Sequence, residues 1–299
     1  MMGPDHCTSQ MRPDVQGFYE PVTGSIAYIL TDPSSRRCVL IDPVLELDPL
    51  CGRIGTGQAD RLLAEVAARG LEIDWIIDTH PHADHLSAAG YLQARTGAPT
   101  ATGAEVVKVQ KLWQAIYDLD DDLPTDGSQW DRLLDDGDRI QVGTLPVQAL
   151  HCPGHTLASI TLLAGDVAFI HDTLFMPDYG TARCDFPGGD ADALWTSIER
   201  ILALPGETRL FTGHDYRPND RPAIWQSTVA EQKRTNVHLC RHPDRASFVT
   251  MRRERDKGLS LPRLMLLALQ VNMAGGRLPP PSPNGRRFLR FPLDPALHG

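Results

Sequence analysis

An α/β sandwich, two β-sheets with a helical layer outside each, is the fold this sequence predicts. Three observations carry it. The order strand, strand, helix, strand, helix is complete before residue 100, a second β-rich stretch spans 145–170, and polar clusters close four of the apolar runs. One cluster organises the rest: Thr79-His80-Pro81-His82-Ala83-Asp84-His85 follows directly on Trp75-Ile76-Ile77-Asp78. The apolar run reads as a buried strand, so the cluster sits on the loop at its carboxyl end, where open α/β sheets bind ligands. Three histidines and a carboxylate within six positions offer the donor types of a first-row transition metal.

With 299 residues, 41% hydrophobic and 22% charged, the chain can bury a large core and is neither disordered nor membrane-like in composition. A net charge of −9 argues against a nucleic-acid surface, although Arg252-Arg253 and Arg286-Arg287 suit a small anion. The six cysteines (Cys7, Cys38, Cys51, Cys152, Cys184, Cys240) contain no CxxC pair, which fits a reducing cytosol better than a disulfide framework. Residues 1–12 lack the apolar stretch of a signal peptide, and no window approaches a membrane span. A soluble cytoplasmic protein is expected.

Taken in order, residues 1–15 read as a flexible tail. Residues 25–30 and 38–41, joined by Asp32-Pro33-Ser34-Ser35, read as a hairpin closed by Asp42-Pro43. Leu62, Leu63, Val66 and Ala67 give helical spacing within 59–70, and Gly70 suits the left-handed position past a helix end. Past the histidine loop, a helix is expected over 86–96 with its stop at Gly97, then a short strand over 98–102 and a helix over 105–117. The acidic run 118–122 reads as a solvated loop. A strand over 145–150 delivers His151-Cys152-Pro153-Gly154-His155, and a hairpin of 158–163 with 167–170 delivers His171-Asp172. An amphipathic helix over 190–203 and a strand over 208–212 lead into Gly213-His214-Asp215-Tyr216. Helices over 227–239 and 245–257 and an extended tail with Pro279-Pro280-Pro281 complete the chain.

Four strand ends thus present metal-donor side chains: His80, His82, Asp84 and His85; His155; Asp172; and His214. Donors converging from separate strands onto one rim are what a metal site needs. His151 and His171 fall outside the pattern and read as structural neighbours. In this order, HxHxDH, Gly154-His155-Thr156, Asp172-Thr173-Leu174-Phe175 and Gly213-His214-Asp215-Tyr216 resemble the metallo-β-lactamase superfamily over about residues 18–240. That resemblance implies an αβ/βα sandwich, two mixed sheets flanked by helices, with the metal in the groove between them. Longer words are more specific. The run from Thr79 to Ala89 and the run from Asp178 to Ala191 are similar to the persulfide dioxygenases, also called sulfur dioxygenases or ETHE1-like proteins. The stretch from Phe248 to Asp256, followed by Leu269-Gln270-Val271-Asn272, is similar to their bacterial branch.

The resemblance implies a mononuclear non-haem Fe(II) enzyme, one iron per chain, that oxidises glutathione persulfide with O2 to sulfite and glutathione in sulfide detoxification. The family's catalytic iron ligands fall on His80, His155 and Asp172. Two histidines and one carboxylate on one face leave room for substrate and O2. His82, Asp84, His85 and His214 would then hydrogen-bond and orient those three. The alternative is a dinuclear hydrolase of glyoxalase II or lactonase type with two Zn(II) per chain. His80, His82 and His155 would hold one ion, Asp84, His85 and His214 the other, with Asp172 bridging. A homodimer is expected from the resemblance alone, without nucleic-acid or membrane partners.

Arginine is the natural partner of the glutathione carboxylates, so Arg183 and Arg252 are substrate-binding candidates, with Tyr179 and Tyr216 as hydrogen-bonding companions. Cys184 reads as a packed small residue. Three positions depart from the family pattern. Pro81 stiffens the histidine loop, His171 replaces the usual glycine before the metal aspartate, and His238 stands where some mitochondrial relatives carry an arginine that contacts glutathione. The expected organisation is a tail over 1–15, a catalytic domain over 16–240, and a helical and extended elaboration over 241–299 that covers the groove.

Overall fold

The computed structural model describes residues 12–119 and 123–293. The first half runs β1 (Asp14–Tyr19), β2 (Ile26–Thr31), β3 (Arg37–Ile41), β4 (Val44–Asp48), β5 (Arg53–Gly55), α1 (Gly57–Ala68), β6 (Glu72–Ile77), β7 (Leu86–Ser87), α2 (Ala89–Thr96), β8 (Thr100–Gly103), α3 (Val106–Tyr117) and β9 (Arg132–Leu134). The second half runs β10 (Arg139–Val142), β11 (Leu145–His151), β12 (Ile160–Ala164), β13 (Val167–His171), α4 (Ala191–Leu202), β14 (Arg209–Thr212), β15 (Gln226–Thr228), α5 (Val229–Thr235), α6 (Arg245–Asp256) and α7 (Met265–Asn272).

One six-stranded sheet has the order β1-β2-β3-β6-β8-β9, a second runs β10 to β15 in sequence order, and β5-β4-β7 form a small third sheet. Both large sheets are mixed, with parallel pairs such as β3–β6 and β13–β14 beside antiparallel hairpins. The alternation of β2 explains the layers. Ile26, Tyr28 and Leu30 point into the core between the sheets, where Tyr28 meets Phe169 and Phe211 edge-on at 5.2 and 5.6 Å. Ala27 and Ile29 point outward, against Leu62 of α1, Leu92 of α2 and Val271 of α7. The second sheet is covered by Leu194 and Ile198 of α4 together with Phe248 of α6. Helix α4 begins cleanly because the Asp190 side chain accepts the Ala193 N–H at 2.7 Å. The expected αβ/βα sandwich is therefore the fold.

Several local expectations are corrected. Asp14 and Val15, assigned to the tail, lie in β1 and pair with Thr31 and Leu30; residues 1–11 lie outside the described residues, as do 120–122 of the acidic run. The helix expected from Leu86 starts at Ala89, because Leu86 and Ser87 pair with Leu45 and Val44 of β4. The helix expected over 227–239 opens as strand β15 and stops at Thr235. There the Asn236 side chain turns to the Gly180 carbonyl and to Gln232. Helix α7 lies within the stretch 241–299 expected to be helical and extended, ahead of the proline run.

Candidate metal centre

Strand ends bring the donors together on one rim. The loop after β6 carries His80, His82, Asp84 and His85; His155 follows β11, Asp172 follows β13, His214 follows β14, and Asp42 follows β3. All are buried except Asp84, which is partly exposed.

Donor atoms of His80, His155 and Asp172 lie within 4.8 Å of one another. Each ring in this set is fixed from behind. Thr79 Oγ1 donates to Asp42 Oδ2 at 2.8 Å and so receives the Nδ1–H of His80 at 3.1 Å. The Nδ1–H of His155 donates to the Arg183 carbonyl at 2.7 Å. Both rings thereby keep the lone pair on Nε2. Burial, reinforced by repulsion from His82, holds His80 well below the ordinary imidazole value, in the neutral form a metal requires. Burial likewise pushes Asp172 up, against the attraction of His214 and His155. His80 Nε2 and Asp172 Oδ1 are buried without a hydrogen-bond partner. Such orphans are costly, and a cation satisfies both at once, so the donor set fits a metal ion.

Donor atoms of His82, Asp84 and His214 form a second set within 4.8 Å. His82 is held differently from His80: its Nε2–H donates to Asp42 Oδ1 at 3.1 Å, while its Nδ1 has no partner. Burial opposes its charge, yet Asp42 outweighs burial and lifts it to about 9. Burial would raise Asp84, but His214, His85 and His82 hold it at about 2. His214 Nε2 stands 3.4 Å from Asp172 Oδ2 and 3.6 Å from Asp84 Oδ2. His85 donates Nδ1–H to the Leu86 carbonyl at 3.1 Å and belongs to neither set.

His151 and His171, the other histidines at these strand ends, separate. His151 gives its Nε2–H to the Leu157 carbonyl at 2.8 Å, a structural role. His171 adopts a left-handed φ of 35°, its ring centroid lies 5.4 Å from that of His80, and it belongs to neither donor set.

Above the donors opens a cavity of about 800 Å³ lined by His85, His155 and Asp172 and walled by Phe175, Tyr179 and Tyr216. The tyrosine rings lie 4.8 Å apart, and Tyr216 is parallel to His214 at 5.4 Å. Arg183 and Arg252 reach the same cavity, but neither offers a free fork for a carboxylate. Arg183 grips both oxygens of Asp185 at 2.7 and 2.6 Å, and Arg252 is buried in an ion pair with Asp256 and donates to the Thr181 carbonyl. His238 also lines the cavity, its Nδ1 accepting the Thr181 N–H at 3.0 Å. Gly180, at φ 107°, makes room for that ring, since a Cβ there would lie 2.3 Å from Nδ1. Missed in the sequence are Arg255 and Arg263 on the cavity wall and Asp42 behind His82. Arg255 carried one available signal, lying one helical turn beyond Arg252.

Residues 21–214 match the family model of the metallo-beta-lactamase superfamily. A beta-lactamase hydrolase-like protein of Xylella fastidiosa is 58% identical over 287 residues, covering 96% of this chain; the chain spans only 66% of that relative's length. The mitochondrial persulfide dioxygenase ETHE1 of Bos taurus is 32% identical over 268 residues, 88% of this chain and 89% of that protein. The crystal structure of ETHE1 from Myxococcus xanthus matches with a TM-score of 0.71 at 30% identity, covering 88% of this chain and 100% of that one. No helix among the described residues is long and apolar enough to cross a membrane. Sandwich, donor loops and matched span coincide, and the chain belongs to the metallo-beta-lactamase superfamily.

Proposed function

We propose that the chain is a mononuclear non-haem Fe(II) persulfide dioxygenase, with one iron per chain, that converts glutathione persulfide and O2 to sulfite and glutathione. One observation carries this reading: the compact set of two histidines and one carboxylate, His80, His155 and Asp172, drawn from three strand ends. Iron held there would supply the electron exchange between the persulfide sulfur and O2. With one water consumed, the outer sulfur gives up four electrons to O2 and leaves as sulfite, and the thiol regains its proton. The chain's own residues position the partners. Thr79 and the Arg183 carbonyl keep two rings in their ligating tautomers. Phe175, Tyr179 and Tyr216 form an aromatic wall along the approach. The likeness to proteins named persulfide dioxygenases supports the same reading.

The set of His82, Asp84 and His214 favours a second reading, a dinuclear zinc hydrolase of glyoxalase II or lactonase type with two Zn(II) per chain, and the hydrolase-like Xylella relative points the same way. That reading needs His82 beside His80 and His155. The His82 ring does lie beside His80, with centroids 4.1 Å apart, but its Nε2 is turned to Asp42 Oδ1 rather than toward the His80, His155 and Asp172 donors, which weighs against it.

The test is oxygen uptake by iron-reconstituted protein given freshly made glutathione persulfide, with sulfite assayed and metals counted in the same sample. Uptake with sulfite and about one iron per chain is the expected result. No uptake, about two zincs per chain and turnover of S-lactoylglutathione or a lactone would overturn it.

A further inference from the structure

Arg183 and Arg252 are neutralised by Asp185 and Asp256, yet the cavity wall carries two further arginines. Arg255 lies on the last turn of α6 and Arg263 on the segment leading into α7, and both are exposed. The ion pairs of the α6 end use Arg252, Arg253 and Lys257, and among the described residues they leave Arg255 out. Beside it, His238 receives the Thr181 N–H on Nδ1 and so carries its own proton on Nε2. Burial, with repulsion from Arg252 and Arg255, holds His238 down at about 3, so it is a neutral donor among cations. Acidic groups share the same lining. Glu46 and Asp48 of β4 line the same cavity, and Arg263 adds to the Cys51 and Leu50 contacts that hold Asp48 below its ordinary value. The mouth therefore carries both signs of charge.

We infer that Arg255 and Arg263 determine which thiol carrier the site accepts, by holding its carboxylates, with Asp48 of the same lining receiving its ammonium group. The inference rests on the dioxygenase reading for the reacting sulfur and concerns only the carrier. Both arginines lie beyond the superfamily span 21–214, so the shared frame presents the metal donors and the C-terminal segment selects the carrier. A small peptide thiol with one ammonium and two carboxylates matches this mouth. A nucleotide thiol with several phosphates would set its charge against Glu46 and Asp48.

S-methylglutathione, whose sulfur cannot form a persulfide, is the probe, titrated calorimetrically into metal-loaded protein. Arg255→Ala and Arg263→Ala should each weaken binding about 10-fold and the double variant about 100-fold, as for a lost charge-assisted pair. The melting temperature should stay put, because both side chains are exposed. KM for the persulfide should rise while kcat is kept. Unchanged affinity in the double variant overturns the inference, and so does wild-type protein that fails to bind the probe. If oxygen uptake is absent while the wild type binds and the double variant does not, the dioxygenase reading falls and the carrier assignment stands.

Discussion

Asn272, on the last turn of α7, holds the loop that carries His82 and His85. Its Nδ2 donates to the carbonyl oxygens of His82 at 2.7 Å and His85 at 2.8 Å, and its Oδ1 accepts the Ser87 N–H at 2.7 Å. Ser87 Oγ in turn donates to Asp78 at 2.7 Å, at the exit of β6. Just beyond, Gly276 runs so close to Gly90 that a Cβ on either would meet backbone at 2.9 Å. The C-terminal elaboration is thus bonded to the metal loop itself rather than only laid over it.

Asn272→Ala should therefore destabilise the fold and loosen the centre. It strands two carbonyls and one N–H in a buried place, at about 1–3 kcal/mol each before relaxation. A net loss of about 3 kcal/mol in urea unfolding is expected, with faster metal loss to a chelator. If the unfolding midpoint and the chelation rate both match wild type, the bonds carry no net energy.

The donor sets make different demands on single substitutions. His155→Ala or Asp172→Ala removes one of three ligands in the proposed centre, so metal retention after dialysis should collapse. His214→Ala should leave iron in place under the mononuclear reading and cost one metal under the dinuclear reading. Full iron and full activity in either of the first two variants would show that the ligands are wrongly assigned.

A third prediction concerns Gly213. A Cβ at that position would sit 2.5 Å from Asp172 Oδ1 and 3.2 Å from the His171 carbonyl carbon. Something must move, and the carboxylate is the softer partner. Gly213→Ala should weaken metal binding by about 10–100-fold, as displaced support of a ligand does, while far-UV circular dichroism stays native. Undiminished metal affinity would mean that the Asp172 carboxylate is not a ligand.

The centre was legible because its donors sit in short local words at strand ends, each readable without knowing what pairs with what. Donor types alone left seven candidates, and the three-dimensional gathering groups His80 and His155 with Asp172 and His82 and Asp84 with His214, the two groups meeting where His214 Nε2 stands 3.4 Å from Asp172 Oδ2. Strands β4, β5, β9 and β10 escaped notice because they are three to five residues long and owe their existence to partners, as β4 does to β7 some forty residues on. Leu86-Ser87 reads as helix locally and is overruled by that same pairing. Arg252, expected to bind substrate, lines the cavity with its guanidinium engaged by Asp256 and the Thr181 carbonyl. Asp256, four residues later on one helix face, was the available warning that its charge would be spent internally.

The far end of the sandwich supplies a prediction about pH. Asp32, in the turn between β2 and β3, accepts hydrogen bonds from the Thr144 N–H at 2.9 Å and its hydroxyl at 3.1 Å, in the turn between β10 and β11, tying one sheet to the other. Ser34 and Ser35 add hydroxyl donors at 2.8 Å each. Burial alone would raise this carboxyl, but the Thr144 and Ser34 hydrogen bonds outweigh it and hold the group well below the usual range. A carboxylate depressed in the folded state stabilises it above the unfolded value of about 3.9, and that stability drains away as pH falls below it. Wild-type protein should thus begin to lose stability below about pH 5 and go on losing it below pH 3, measured as the urea midpoint. Asp32→Asn should be weaker by about 1–3 kcal/mol at pH 7, from imperfect pairing with the same donors, and should lose less on acidification, so that the two curves converge at low pH. Curves that stay parallel from pH 7 to pH 3 would place the acid sensitivity in other carboxylates.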